Sequence, residues 1–136
     1  MSQENIDRHR RFVEAVNTRE ISDEIAEELI APDCRVVNIS TPVTDNTYSG
    51  VAGIRKWLDD TFDGLDEGTR YEVEEIVAEG DDFVVARMCL VGHGARSGAP
   101  VVLRWVDVIR FQRGKMSWAG GYARRREALE AVGLEA

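Results

Sequence analysis

Four runs of alternating apolar and polar residues fill the second half of the chain, and they restrict the fold more than any other feature. The runs are "RYEVEEIVAEG" (70–80), "DFVVARMCLVGHG" (82–94), "VVLRWVDVIRF" (101–111) and "KMSWAGGYA" (115–123). A period of two is that of a strand with one buried face. The breaks between runs are rich in Gly, Asp, Ser and Pro, and "EGDD" (79–82) and "QRGK" (112–115) read as hairpin turns. The first half has a different period. Ile6, His9, Phe12, Val13 and Val16 recur at helical spacing over 5–17. Ser22, followed by Asp23 and Glu24, opens a second helix with a capping hydroxyl and acids in the positive first turn. Ile21, Ile25 and Leu29 give that helix its buried stripe, and Pro32 stops it. A short strand "RVVNI" (35–39) and a polar loop "STPVTDNTYSG" (40–50) lead to a third helix carrying Val51, Ile54, Leu58, Phe62 and Leu65. Residues 125–134, "RREALEAVGL", form a short terminal helix. Helices followed by an antiparallel meander predict one α+β domain over 1–136. Three N-terminal helices packed on a curved, mostly antiparallel sheet make a cone-shaped α+β barrel with a cavity between the layers. Gly120–Gly121 in the last strand would ease the bending.

Composition narrows the function classes. A chain of 136 residues with 43% hydrophobic and 31% charged content is long enough to bury a core and is not disordered. A formal charge of −8 argues against nucleic acid and anionic membrane surfaces. The one basic cluster, "RRR" at 124–126, runs directly into Glu127 and Glu130 and reads as a solvated helix face. Cys34 and Cys89 lie far apart in apolar stretches, as buried reduced thiols do. His9 and His93 are the only histidines and neither has a nearby Cys, so no zinc site is expected. The N-terminus has no apolar export segment, and no run approaches the ~20 apolar residues of a membrane span. A cytoplasmic location is the expectation.

Within "VVLRWVDVIRF", Val101, Leu103, Trp105, Ile109 and Phe111 share a face with Asp107. A carboxylate among large hydrophobes is costly unless it is neutralised or used. Burial raises its pKa from about 3.9 toward neutrality, where a carboxyl group can take or give a proton at working pH. Asp107 is therefore the first candidate for a general acid or base. The alternative is a structural Asp paired with Arg87 on the preceding strand or Tyr122 on the following one. Asn38, alternating with Val36 on the first strand, could hydrogen-bond a substrate. Trp57, Trp105, Trp118 and Tyr122, together with Val36, could wall a binding site, although each aromatic is by default a core residue. Glu75 falls in step with Tyr71 and Val73, either as a second inward acid or turned to solvent by a bulge. His9 lies on the buried stripe of the first helix, facing either the core or the cavity, and His93 between two glycines reads as a loop residue. The opposite face of the 101–111 strand, Val102, Arg104, Val106, Val108 and Arg110, mixes apolar and basic residues as a subunit contact does, so a homodimer through the outer sheet face is expected.

The order of elements, with "EIVAEGDDFVVARM", "VIRFQRGKMSW" and "EALEAVGL", resembles the nuclear transport factor two-like superfamily. Within it the chain is similar to the SnoaL-like polyketide cyclases and the limonene epoxide hydrolases. The resemblance covers nearly the whole chain and implies the fold more strongly than the activity. The hydrolases carry Tyr-x-Asn-Ile before a Pro-Val loop, and "VVNISTPV" keeps Asn38 with Val36 in the Tyr place. Their Arg-x-Asp matches Asp107 with Trp105 in the Arg place, and their second Asp falls at Ala123 or Arg124. The acid that SnoaL-like cyclases commonly place near that C-terminal position is also missing. The resemblance therefore implies a cofactor-free cyclase or isomerase acting on a hydrophobic small molecule, such as a polyketide. Asp107 and Asn38 would be catalytic, with Trp105, Tyr122, Trp118, Trp57 and Val36 on the substrate. The alternatives are an epoxide hydrolase with a degenerate Asp–Arg–Asp set and a non-catalytic, small-molecule-binding dimeric domain.

Overall fold

The structure is a computed structural model that describes residues 2–38 and 47–134. In chain order the elements are α1 (Ser2–Asn17), α2 (Asp23–Leu29), β1 (Ile30–Asn38), β2 (Thr47–Ser49), α3 (Gly50–Phe62), β3 (Arg70–Glu79), β4 (Phe83–His93), β5 (Pro100–Gln112), β6 (Lys115–Tyr122) and α4 (Arg125–Ala131). The six strands form one sheet in the order β2-β1-β6-β5-β4-β3. Neighbours are antiparallel except β1 and β6, which run parallel. No helix among the described residues is long and apolar enough to cross a membrane.

The four alternating runs become β3 to β6, and the first helix begins a turn earlier than its apolar stripe. Ser22 caps α2 as its sequence predicts, its Oγ accepting from the Ile25 N–H at 3.1 Å. Two short elements differ from expectation. β1 starts at Ile30 rather than Arg35, with Pro32 inside the strand. The stop signal for α2 thus sits two residues into the next element, and β1 changes register between Ile30 and Arg35. Within the expected polar loop, Thr47–Ser49 forms β2 against β1, while 39–46 lies outside the described residues. Three residues carry too little alternation to stand out from a loop.

Bulges bend the sheet. β3 shifts register between Val73 and Glu75 and again between Ile76 and Ala78, and β6 carries Ser117 as an extra residue opposite β5. Such insertions raise local twist and curl a sheet. The helices α1 to α3 then pack on the concave face. Val16 of α1, Leu29 of α2 and Ile54 of α3 are buried in one cluster with Val84 and Met88 of β4 and Ile109 of β5. Full burial of each such side chain contributes roughly 1.5–3 kcal/mol. On the convex face α4 covers a smaller cluster of Val85, Val106, Val108, Tyr122 and Ala128. Cys34 and Cys89 are both free and buried, and burial pushes the Cys34 thiol up to about 12, which keeps it protonated and inert.

Candidate functional site

A cavity of about 500 Å³ lies between the concave face and the helices. Of the residues singled out in the sequence, Asp107, Asn38, Trp105, Trp57 and Val36 line it. The key geometry is one row across the sheet. Asn38 of β1 pairs with Gly121 of β6, Gly121 with Asp107 of β5, and Asp107 with Ala86 of β4. Two strand spacings set the Asn38 and Asp107 backbones about 10 Å apart. Gly121 between them has no side chain. A Cβ built there would lie 3.5 Å from Asn38 Oδ1 and 3.6 Å from Asp107 Oδ1. The amide and the carboxyl group therefore lean over one small space from either side. Both sheet neighbours of Asp107 are small, which leaves room around a half-buried acid.

Two hydrogen bonds hold Asp107. Trp105 Nε1–H donates to Oδ1 at 2.8 Å, and the buried Tyr71 hydroxyl donates to Oδ2 at 3.3 Å. Burial pushes Asp107 up to about 7, against the opposing pull of these two donors. Desolvation outweighs them because both are neutral. Burial also holds the Tyr71 phenol well above its ordinary value, so it stays protonated. An indole nitrogen can only donate, which fixes Oδ1 as an acceptor. Proton uptake falls on Oδ2, whose bond is long for two oxygens. Residues 105 and 107 share a face of one strand, and this is what lets Trp105 reach the acid two positions on.

The partners foreseen for Asp107 are corrected here. Arg87 pairs with Val106 and alternates with the inward Ala86 and Met88, so it faces away from the cavity. Tyr122 packs in the convex cluster beside α4. Trp118 packs on that cluster too, its ring lying over Gly120 and within cation–π distance of Arg110. Neither Trp118 nor Tyr122 lines the cavity. The cause is Ser117. Met116 and Ala119 face inward, and the extra residue between them reverses the alternation expected from "KMSWAGGYA". Glu75 is turned out by the β3 bulge and meets Arg125 at 3.4 Å. Arg104 touches the rim, while its Nε donates to Glu74 at 3.0 Å. Ala123 and Arg124, at the place of the hydrolases' second acid, are exposed at the end of β6.

Tyr71 is the partner of Asp107 that the sequence did not single out, although it falls in step with the inward Val73. It also extends an aromatic wall. Phe12 stacks on Trp57 at 6.1 Å, Trp57 meets Tyr71 edge-on at 5.7 Å, and Tyr71 tilts against Trp105 at 5.8 Å. At the rim, Asp60 accepts from Tyr48 Oη at 2.8 Å and Lys56 Nζ at 2.9 Å, and these partners hold its carboxyl below the usual range. An apolar cavity with a flat wall and one acid near pH 7 can bind a flat hydrophobic molecule and exchange a proton with it.

Several solved structures share this fold. A candidate SnoaL-like polyketide cyclase from Jannaschia sp. CCS1 superposes with a TM-score of 0.71 at 18% identity, over 89% of this chain and 85% of that one. AclR, a candidate hydroxylase from Streptomyces galilaeus, gives 0.70 at 21% identity over 98% of both chains. TerC, crystallised with polyporic acid, gives 0.70 at 21% identity over 89% of this chain and 92% of that one. Likeness at these identities is a likeness of fold. No curated protein matches in sequence. The model of the SnoaL-like domain matches residues 9–118, from the middle of α1 into β6, and the chain therefore belongs to the SnoaL-like family.

Proposed function

We propose that this protein is a cofactor-free cyclase or isomerase that moves a proton on a flat hydrophobic substrate of the polyketide type. The observation that carries the reading is Asp107: a carboxyl group inside an apolar cavity, held by two neutral donors, with its pKa at about 7. As carboxylate it takes a proton through Oδ2 from a carbon next to a carbonyl. The electron pair of that C–H bond moves onto the carbonyl oxygen, where the Asn38 amide can donate a hydrogen bond. Where a double bond conjugates with this enolate, Asp107 returns the proton to the far carbon, which completes an isomerisation; where the enolate carbon attacks a second carbonyl, a ring closes and the proton on Asp107 passes to the alkoxide formed from that carbonyl. The wall of Phe12, Trp57, Tyr71 and Trp105 would orient the substrate.

Deuterium exchange at the activated CH₂ of 2-tetralone in D₂O, followed by NMR, tests the proton transfer. Wild type should accelerate exchange and Asp107→Asn should not. Bound tetralone that exchanges no faster than in buffer would favour the binding-only reading. We also place the contact of a homodimer on the convex face beyond α4. Val91 and Val102, paired across β4 and β5, are 37% and 50% exposed there.

A further inference from the structure

The reaction just proposed leaves a buried imidazole of the cavity unused. His9 lines the cavity, yet only 2% of its surface is exposed. Its depth follows from its neighbours on α1. Asn5 Nδ2 donates to the Asp81 carbonyl in the β3–β4 turn at 2.9 Å, and the Arg8 guanidinium lies against Gly114 in the β5–β6 turn. The start of α1 therefore sits at the hairpin end of the sheet. Leu103, 54% exposed, marks the opposite end of the cavity, and Asp107 lies between the two along β5. His9 belongs to the deep end.

Every fully buried side-chain nitrogen and oxygen among the described residues has a hydrogen-bond partner. The His9 ring bonds to no described residue, so its nitrogens are the part of it that opens onto the cavity. Core histidines are ordinarily satisfied by the protein itself. Burial pushes His9 down to about 4, so its imidazole is neutral, with one nitrogen donating and the other accepting. Such a group suits a phenol, enol or carbonyl; a carboxylate brought here would be buried without a countercharge. Phe12, one turn further along α1, begins the aromatic wall that ends at Trp105.

We propose that His9 is a second substrate anchor, hydrogen-bonding an uncharged oxygen at the leading end of a flat molecule whose reacting carbon lies at Asp107. The substrate class is then an aromatic or conjugated ring compound with an oxygen function at its inserted end and another near the middle of the cavity. This rests on the cavity being the substrate site.

Calorimetric titration with isomeric naphthalenediols, 2-naphthol and naphthalene tests it. The best diol should bind wild type about fivefold tighter than 2-naphthol, the worth of one added neutral hydrogen bond. In His9→Leu that ratio should fall to one or below, and His9→Gln, which keeps a donor and an acceptor, should restore part of it. Equal affinities of diol and 2-naphthol for wild type, or a preference that survives in His9→Leu, would overturn the anchor. Should the leucine variant fail to fold, wild type labelled with ¹⁵N-histidine decides. The His9 ring resonances should shift with the diol and stay put with naphthalene; no shift with the diol overturns the proposal. Binding of none of the three compounds would overturn the substrate-site reading, and His9 with it.

Discussion

The two faces of β5 show how one strand serves a packed core on one side and an open cavity on the other. Its convex side puts Val106 and Val108 into a cluster closed by Tyr122 and Ala128. Its concave side carries Leu103, Trp105, Asp107 and Ile109 along a cavity that the helices roof but do not fill. The difference begins with the neighbours in β6. Gly120 and Gly121 are adjacent, yet Gly120 lets the Trp118 ring lie flat on the convex face, while Gly121 keeps open the space between Asn38 and Asp107. One glycine is there for packing and the other for access.

Substitutions that separate the faces should therefore separate stability from activity. The largest effect belongs to Asp107→Asn, which should lower deuterium exchange by about 10²–10⁴-fold with the fold intact by circular dichroism. A variant with undiminished exchange would end the proton-carrier reading. The wild-type rate should rise with pH through about 7 and level off above it, because only the carboxylate can act as base. Gly121→Ala comes next. Its Cβ meets Asn38, Asp107 and Trp105 at 3.5–3.7 Å, ordinary contact distances, so the melting temperature should hold while exchange drops about tenfold through a misplaced substrate. Gly120→Ala should do the reverse. Its Cβ would fall 2.2 Å from the Trp118 ring, costing about 1–2 kcal/mol in a urea titration with exchange per folded molecule unchanged. If the two alanines behaved alike, the division between faces would fail. The smallest effect on exchange is expected from Val102→Glu, which should shift sedimentation from dimer toward monomer and leave the rate within about twofold.

How far the sequence revealed this arrangement depended on bulges. From Val101 to Arg110, β5 pairs with β4 without interruption, so counting by twos placed Asp107 and Trp105 correctly. The same count failed in β6, because Ser117 has nothing in its chemistry to mark it as an extra residue, and both Trp118 and Tyr122 were carried to the wrong face. Asn38 was legible as the end of a short strand. That it meets Asp107 was not, since the meeting depends on a parallel pairing between β1 and β6 that joins residues 83 positions apart. Tyr71 escaped notice for a related reason: it lies in a glutamate-rich strand twice broken in register, and its contact with Asp107 spans two strands.

His9 and Asp107, both in the cavity, have a joint consequence for folding. Between pH of about 4 and 6.5 the unfolded chain carries Asp107 as carboxylate and His9 as imidazolium, while the folded chain carries an acid and a neutral imidazole. Folding thus transfers one proton's worth of occupancy from imidazole to carboxyl, and both groups lose their charge with no net exchange with solvent. The raised carboxyl alone would make stability fall as pH rises from about 4 to about 7; the depressed imidazole alone would make it rise from about 4 to about 6.5. In wild type the two slopes cancel over the shared window. Asp107→Asn removes one side of the balance, so its stability relative to wild type should climb with pH between about 4 and 7, by at most about 1.4 kcal/mol for each pH unit. A difference that stays level across that range would mean the acid meets water in the folded cavity as freely as in the open chain.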